Sequence, residues 1–406
     1  MPPSYPLTLD VAGRRVVVVG GGPVAARRAR SLVTAKAEVY VVAPALCEDL
    51  SDLAEEGRVS WRARDYLTGD LDGAWLVHTA TGDRVTDDLV AADAQADHVW
   101  CVRADDASRS AAWTPAVTRV GEVTVAVTTG GDPRRATTLR DAIALALDTG
   151  GLPLRPHRPA TTGSVALVGG GPGDPGLITT RGRRLLAEAD IVLVDRLAPR
   201  ALLDELDPSV VVIDVGKTAG HHPLPQDEIN RLLVEHAQAG QRVVRLKGGD
   251  PYVFGRGFEE ALACAEAGVP WTVVPGITSS IAVPAVAGIP VTHRGVTHEF
   301  TVVSGHIPPG HPDSLINWEA LAQLRGTLVL LMAVENLPAI TATLISNGRP
   351  ASTPAAAIAD GTLPGQQLVS SDLAGIAAEM KSAGVGAPAI VVIGNVVDVA
   401  GLVKGS

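Results

Sequence analysis

Two short apolar runs each break into three glycines and a proline: VVVVGGGPVAAR at 16–27 and VALVGGGPGDPGLITTR at 165–181. Runs of this kind read as strands buried on both faces. A glycine break at the strand end is where an open parallel sheet takes a ligand. The rest of the chain keeps the same rhythm. Apolar runs at 15–19, 38–42, 74–79, 123–128, 165–168, 191–194, 210–215, 242–246, 271–274, 300–303, 327–331 and 389–393 alternate with Ala-, Leu- and Arg-rich helical segments. The pattern predicts an α/β fold of parallel sheets covered by helices.

The clearest break is DTGGLPLRPHRPATTG at 148–163, which has no hydrophobic period and reads as an exposed linker. It predicts a Rossmann-like first domain over 1–150, a linker at 151–163 and a second domain over 164–406. A softer break near 275–290 divides the second domain into lobes of about 164–275 and 276–406. At 46% hydrophobic and 19% charged residues, the chain is suited to packed cores and not to disorder. Aromatic residues, at 3%, are too few for a nucleic-acid surface built on stacking. The net charge of −10, with no block of like charges, argues against bulk attraction to nucleic acid or to an anionic membrane. It leaves room for a local basic pocket. Cys47, Cys101 and Cys264 stand far apart with no CxxC, which fits a reducing compartment. MPPSYPLTLD lacks an apolar signal core, and no run approaches the roughly 20 residues of a membrane helix. The expectation is a soluble cytoplasmic protein.

The two glycine turns differ. In the first, Gly20, Gly22 and Ala25 form GxGxxA between a strand and a helix, with Pro23 suited to the first helical turn. Small residues let backbone approach a pyrophosphate at the helix N-terminus. Candidate dinucleotide contacts are Gly20, Gly22, Pro23, Val24, Pro44 and Ala45. The following strand ends at Ala43–Pro44, with no acid for a ribose, so NAD and NADP are both open. A tight turn that only packs a helix on a sheet is open too. In the second turn, Pro172 and Pro175 disfavour helix at Gly171 and Asp174. The chain must therefore run on as a broad backbone loop, with the next helix starting near Thr179–Thr180.

VVVVGGGPVAARRARSLVTAKAEVYVVAP, DGAWLVHTATGD and AVTTGG resemble the N-terminal module of siroheme synthases. The resemblance implies NAD-dependent oxidation of precorrin-2 to sirohydrochlorin and, in some members, ferrous iron insertion. It places the essential aspartate on Asp105, ten residues before Pro115, and a family serine on Thr129. By its residues alone Asp105 reads as a solvated turn acid. Val102 replaces a family Asn, GGDPRRATT replaces GGxSPVLAR, and a short linker replaces a long helical segment that in the family helps build the dimer and the tetrapyrrole cleft. These departures weigh against iron insertion. They leave the first domain as either a dehydrogenase or a nucleotide-sensing regulator.

The second domain carries VALVGGGPGDPGLITTRG, VDRL, VGKTAGHHPLPQDEIN, VVRLKGGDPYVFGRG, VPWTVVPGITSS and AGIPVTHRG in order. Over 165–397 it resembles the uroporphyrinogen-III C-methyltransferases. The resemblance implies two α/β lobes, S-adenosylmethionine in the cleft between them, and a homodimer. It places donor contacts on Pro172, Gly248, Gly249, Asp250, Val253, Thr278, Ser279, Met332 and Gly361. Asp195, closing IVLVDRL, becomes the base that takes a proton from the methylated ring carbon. Lys217 becomes a proton donor or charge partner. The substrate, uroporphyrinogen III, carries eight carboxylates, so an acidic protein needs a concentrated cationic patch. Lys217, His222, Arg256, His293 and Arg294 are its candidates. His221 and His222 have no third ligand at metal spacing, so no metal site is expected. The product would be precorrin-2, feeding siroheme or corrinoids. A methyltransferase for a later corrin precursor is the alternative.

Overall fold

Four consecutive valines set the middle of the first sheet. In a computed structural model that describes residues 5–152, 162–216 and 224–399, Val16 and Val18 face Ala25, Ala26 and Ala29 of the helix Pro23–Thr34. Val17 and Val19 face Val77, Val90 and Ala94 on the other side. A strand covered on both faces needs apolar side chains at every position, and this is why the run does not alternate. Strands β1 (Arg15–Val19), β2 (Glu38–Val42), β3 (Ser60–Arg62), β4 (Leu76–Thr79) and β5 (Trp100–Arg103) pair in the order β3-β2-β1-β4-β5, all parallel. The strand order reverses between β1 and β4, which opens a crevice at their carboxyl ends. An antiparallel hairpin of β6 (Ala116–Val120) and β7 (Val123–Val127) follows. The chain divides into two compact units, Met1–Ala144 and Leu145–Ser406.

The second unit contains two five-stranded sheets. The first joins β8 (Ser164–Gly169), β9 (Ile191–Val194), β10 (Val211–Asp214), β11 (Arg242–Lys247) and β12 (Trp271–Val274) in the order β10-β9-β11-β8-β12, all parallel. The second joins β13 (Phe300–Ser304), β14 (Thr327–Leu331), β15 (Pro354–Ala359), β16 (Gln367–Asp372) and β17 (Ala389–Ile393) in the order β13-β14-β17-β15-β16. Here only β13 and β14 run parallel. This corrects the expectation of parallel sheets throughout. The connection from β15 to β16 is too short for the dozen or more residues of a helical crossover, so the two strands form a hairpin.

The helix Ser279–Val286 ties the two lobes together. Its cap, Thr278, accepts from the Ser280 amide beside the first lobe's glycine loops. Its Val283 packs with Ile289, Val329 and Ala356 in the second lobe's core. No helix among the described residues is long and apolar enough to cross a membrane.

Candidate functional sites

At the end of β1 the backbone packs directly on two neighbouring loops. A Cβ on Gly20, whose φ is +124°, would lie 2.3 Å from the Ala80 carbonyl oxygen after β4. A Cβ on Gly21 would lie 1.8 Å from the Ala45 carbonyl oxygen after β2. The Cys47 amide also donates to the Gly21 carbonyl at 2.7 Å. Gly22 is different: a Cβ there would meet nothing within 4 Å. It stands at the N-cap of Pro23–Thr34, which has no side-chain cap. The helix N-terminus thus has room beside Gly22 and no side chain over it, and Pro23 and Val24 are exposed there. Pro44 and Ala45 lie on the loop against Gly21. The arrangement fits a pyrophosphate, and no acid stands at the end of β2. Gly21, which the motif leaves unnamed, is the most tightly held. Gly21→Ala is expected to cost about 1–3 kcal/mol of stability in the first unit and to weaken dinucleotide binding at least about tenfold. Thermal melting and an NADH titration check it.

Asp105 follows β5 as an exposed acid, and it is paired with the buried Arg103. Arg103 grips it through two bonds of 2.9 and 2.7 Å and also holds Asp88 at 2.5 Å. Arg109 reaches the same Asp88 oxygen at 2.6 Å. Arg103 beside it holds the Asp105 carboxyl below the usual carboxylate range. A carboxylate clamped this way is a fixed negative charge and a weak base. Thr129 turns its hydroxyl to the Asp132 carbonyl. Sequence reasoning missed the buried Asp87, which accepts from the hydroxyls of Thr79 and Thr81 and shapes the loop against Gly20.

In the second unit three loops at the carboxyl ends of β8, β11 and β12 meet backbone to backbone. Gly171 and Gly249 exchange hydrogen bonds of 2.7 and 3.2 Å. A Cβ on Gly276 would lie 2.1 Å from the Gly249 carbonyl oxygen and 2.7 Å from the Gly169 Cα. Asp250 stitches the cluster, accepting from the Tyr252 amide at 2.8 Å and the Gly276 amide at 3.1 Å. A Cβ on Gly249, whose φ is +65°, would lie 3.8 Å from the Thr278 Cα and 3.7 Å from the Ser279 amide nitrogen. Pro172, Gly248, Gly249, Asp250, Thr278 and Ser279 are thus one backbone surface.

The second lobe comes against it. A Cβ on Gly361 would lie 2.4 Å from Val283, and the Asp174 amide donates to Thr362 at 3.1 Å. Met332, Asp360 and Thr362 all take left-handed backbone, with φ of 54°, 46° and 73°. Non-glycine residues in that region gather where surrounding structure overrides local preference, commonly at ligand sites. Val253 and Met332 are exposed and apolar. Polar backbone, small residues and some apolar wall suit an amphipathic sulfonium donor.

Asp195 lies beside these loops. Its amide donates to the Leu246 carbonyl at 3.1 Å, and a Cβ on Gly248 would touch the Leu197 carbonyl oxygen at 2.7 Å. Its carboxylate is about one-third exposed, at 34%. Behind it stand Arg245, Lys247 and Glu260, three buried charges that sequence reasoning missed. The signal was available. Arg245 and Lys247 are two apart on one face of an otherwise apolar strand, so both point at the helix Gly257–Glu266. Arg256 caps that helix with φ 58° and pairs with Glu259 at 2.9 and 2.6 Å. His293 and Arg294 are exposed on the loop before β13. Lys217, His221 and His222 lie outside the described residues.

Comparison with known proteins identifies the family of both units. The profile of the Tetrapyrrole (Corrin/Porphyrin) Methylases matches residues 164–377. An NAD(P)-binding family profile matches 7–116. A siroheme synthase of Chromobacterium violaceum is 37% identical, covering 98% of this chain and 95% of its own. The alignment runs to 450 positions against 406 residues here, so that relative carries segments this chain lacks. Siroheme synthase 1 of Yersinia enterocolitica is 36% identical over 97% of this chain and 94% of its own. Among solved structures, a cobalt precorrin-4 methyltransferase of cobalamin biosynthesis has a TM-score of 0.52 at 27% identity, covering 58% of this chain and 96% of its own. The chain belongs to the siroheme synthase family, with a C-terminal unit that is a tetrapyrrole methylase.

Proposed function

We propose that the second unit transfers two methyl groups from S-adenosylmethionine to uroporphyrinogen III, giving precorrin-2, and that the first unit oxidises precorrin-2 with NAD. The observation that carries the reading is the Gly169–Gly249–Gly276 backbone cluster with Asp195 beside it. We assign donor contacts to Pro172, Gly248, Gly249, Asp250, Val253, Thr278, Ser279, Met332 and Gly361. We assign tetrapyrrole carboxylate contacts to Arg256, His293 and Arg294 on the described residues, and to Lys217 and His222 outside them. The domain limits 1–150, 151–163 and 164–406, a homodimer and a cytoplasmic location belong to the same proposal.

The donor supplies an electrophilic methyl on a sulfonium. An electron-rich pyrrole carbon attacks in line; the new carbon–carbon bond forms as the methyl–sulfur bond breaks, and the electron pair stays on sulfur. The glycine loops hold the reactants in register, and alignment accounts for most of the acceleration. Each transfer releases one proton. The expectation that Asp195 removes it from the methylated carbon needs correction on chemical grounds. Eight carboxylate side chains occupy all eight outer carbons of four pyrroles, so a methylated carbon has no hydrogen to lose. Asp195 therefore takes the proton from a pyrrole N–H or a bridging methylene.

NAD supplies the hydride acceptor for the oxidation. The open helix N-terminus at Gly22 would bind its pyrophosphate. Asp105, fixed as an anion by Arg103, would act as a charge partner for the ring system. A nucleotide-sensing role for the first unit is the second reading, favoured by that clamp, which makes Asp105 a weak base. The test is to incubate the purified chain with uroporphyrinogen III and S-adenosylmethionine, with and without NAD, and follow product absorption. Precorrin-2 without NAD and sirohydrochlorin with NAD are expected, the second step falling in Asp105→Ala. Precorrin-2 in both arms selects the sensing role. No methylated product contradicts the whole assignment.

A further inference from the structure

Four charged side chains form a closed circuit behind the donor loops. Glu260 is fully buried on the helix Gly257–Glu266, and one of its oxygens, Oε1, accepts from Arg245 Nε at 2.9 Å and Lys247 Nζ at 3.0 Å. Arg245 Nη2 then donates to Asp195 Oδ1 at 3.0 Å. Lys247 Nζ stands 3.8 Å from Asp195 Oδ2. Each cation thus bridges one buried carboxylate and one carboxylate that opens to the cleft. Glu260 Oε2 has no hydrogen-bond partner among the described residues, and Gln226 approaches Oε1 at 3.4 Å. We propose that Glu260 is a positioning residue for methyl transfer, fixing the Asp195 carboxylate through Arg245 and Lys247. The inference rests on the reading of Asp195 as the proton acceptor.

The physical reason is charge balance. Two cations against Asp195 alone would hold its carboxylate so strongly that it could accept no proton from a ring. Glu260 offsets one of them and locks both in place, away from the substrate. A charged cluster this deep is not explained by stability, since an apolar core of equal volume would serve as well or better. Burial, with Arg245 alongside, holds Lys247 below the ordinary lysine range despite both carboxylates. Burial works against the charge on Arg245 too, but Glu260 and Asp195 outweigh it and leave Arg245 above its usual range. Other titratable groups that feel the cluster are Arg256, whose charge Glu260 supports from the same helix, Glu259, which Lys247 helps keep ionised, and Cys264, whose thiol burial pushes up to about 11.

The test compares full-length Glu260→Gln with the unaltered chain. Removing the buried anion should lower kcat for methylation at least about tenfold and move the acid limb of its pH profile down by about one unit. KM for the tetrapyrrole and donor affinity should stay within about twofold. Glu260→Gln with Lys247→Met removes one charge of each sign and should return the limb to its original pH. A limb that does not move, or a loss carried by KM or donor affinity, overturns the proposal. If Glu260→Gln does not fold, Glu260→Asp keeps the charge and shortens its reach by one methylene. It should lower kcat without moving the limb, and an unchanged kcat overturns the proposal. Asp195→Asn, run alongside, separates the two levels. Full activity there removes the underlying reading, whereas an inactive Asp195→Asn with an unaffected Glu260→Gln removes only the inference.

Discussion

Asp195→Asn should slow methyl transfer by about 10²- to 10⁴-fold, the usual contribution of a general base. Donor binding should stay within about threefold, because the Asp195 side chain is no part of the glycine cluster. The amide keeps the size and shape of the side chain and can still accept from Arg245. It removes one negative charge from a cluster of two cations and two anions. The remaining excess positive charge raises the cost of burying Lys247, which is already held below its ordinary range. A modest loss of stability is therefore expected beside the large loss of rate. Single-turnover rates and donor titration separate the two effects.

Gly276→Ala should have the second large effect. Its Cβ would meet the Gly249 carbonyl oxygen and the Gly169 Cα, both backbone atoms with no side chain to yield. The Gly276 amide also holds Asp250. To admit one methyl group, the loops after β8, β11 and β12 must separate. The expected cost is about 1–3 kcal/mol in stability, with donor affinity falling about 100-fold or more. Gly386→Ala is the control, since a Cβ there meets nothing within 4 Å and its backbone is not left-handed. Melting temperature and calorimetric titration of both variants check the contrast.

The strands around the sites were legible because burial on both faces writes an unbroken apolar run, as at Val16–Val19 and Ile191–Val194. The helix start at Thr180 was legible as well, since Thr179 caps it by accepting from the Gly182 amide at 3.1 Å. β15 and β16 were not. PAAAIA is alanine-rich, and QLVSSD is polar at the exposed edge of its sheet, so neither resembles a buried run. The contrast between the two glycine turns could be read from Pro172 and Pro175. The contact of Gly276 with Gly249 could not, because it joins loops 27 residues apart through backbone alone. The partner of Asp105 lay only two residues away, at Arg103, yet adjacency in sequence says nothing about a bidentate clamp.

Isothermal titration of the full-length chain with S-adenosylmethionine tests the central claim most directly. The account predicts saturable binding at one donor per chain, lost in Gly276→Ala and kept in Asp195→Asn. A folded chain, with intact secondary structure by circular dichroism, that takes up no donor would contradict it.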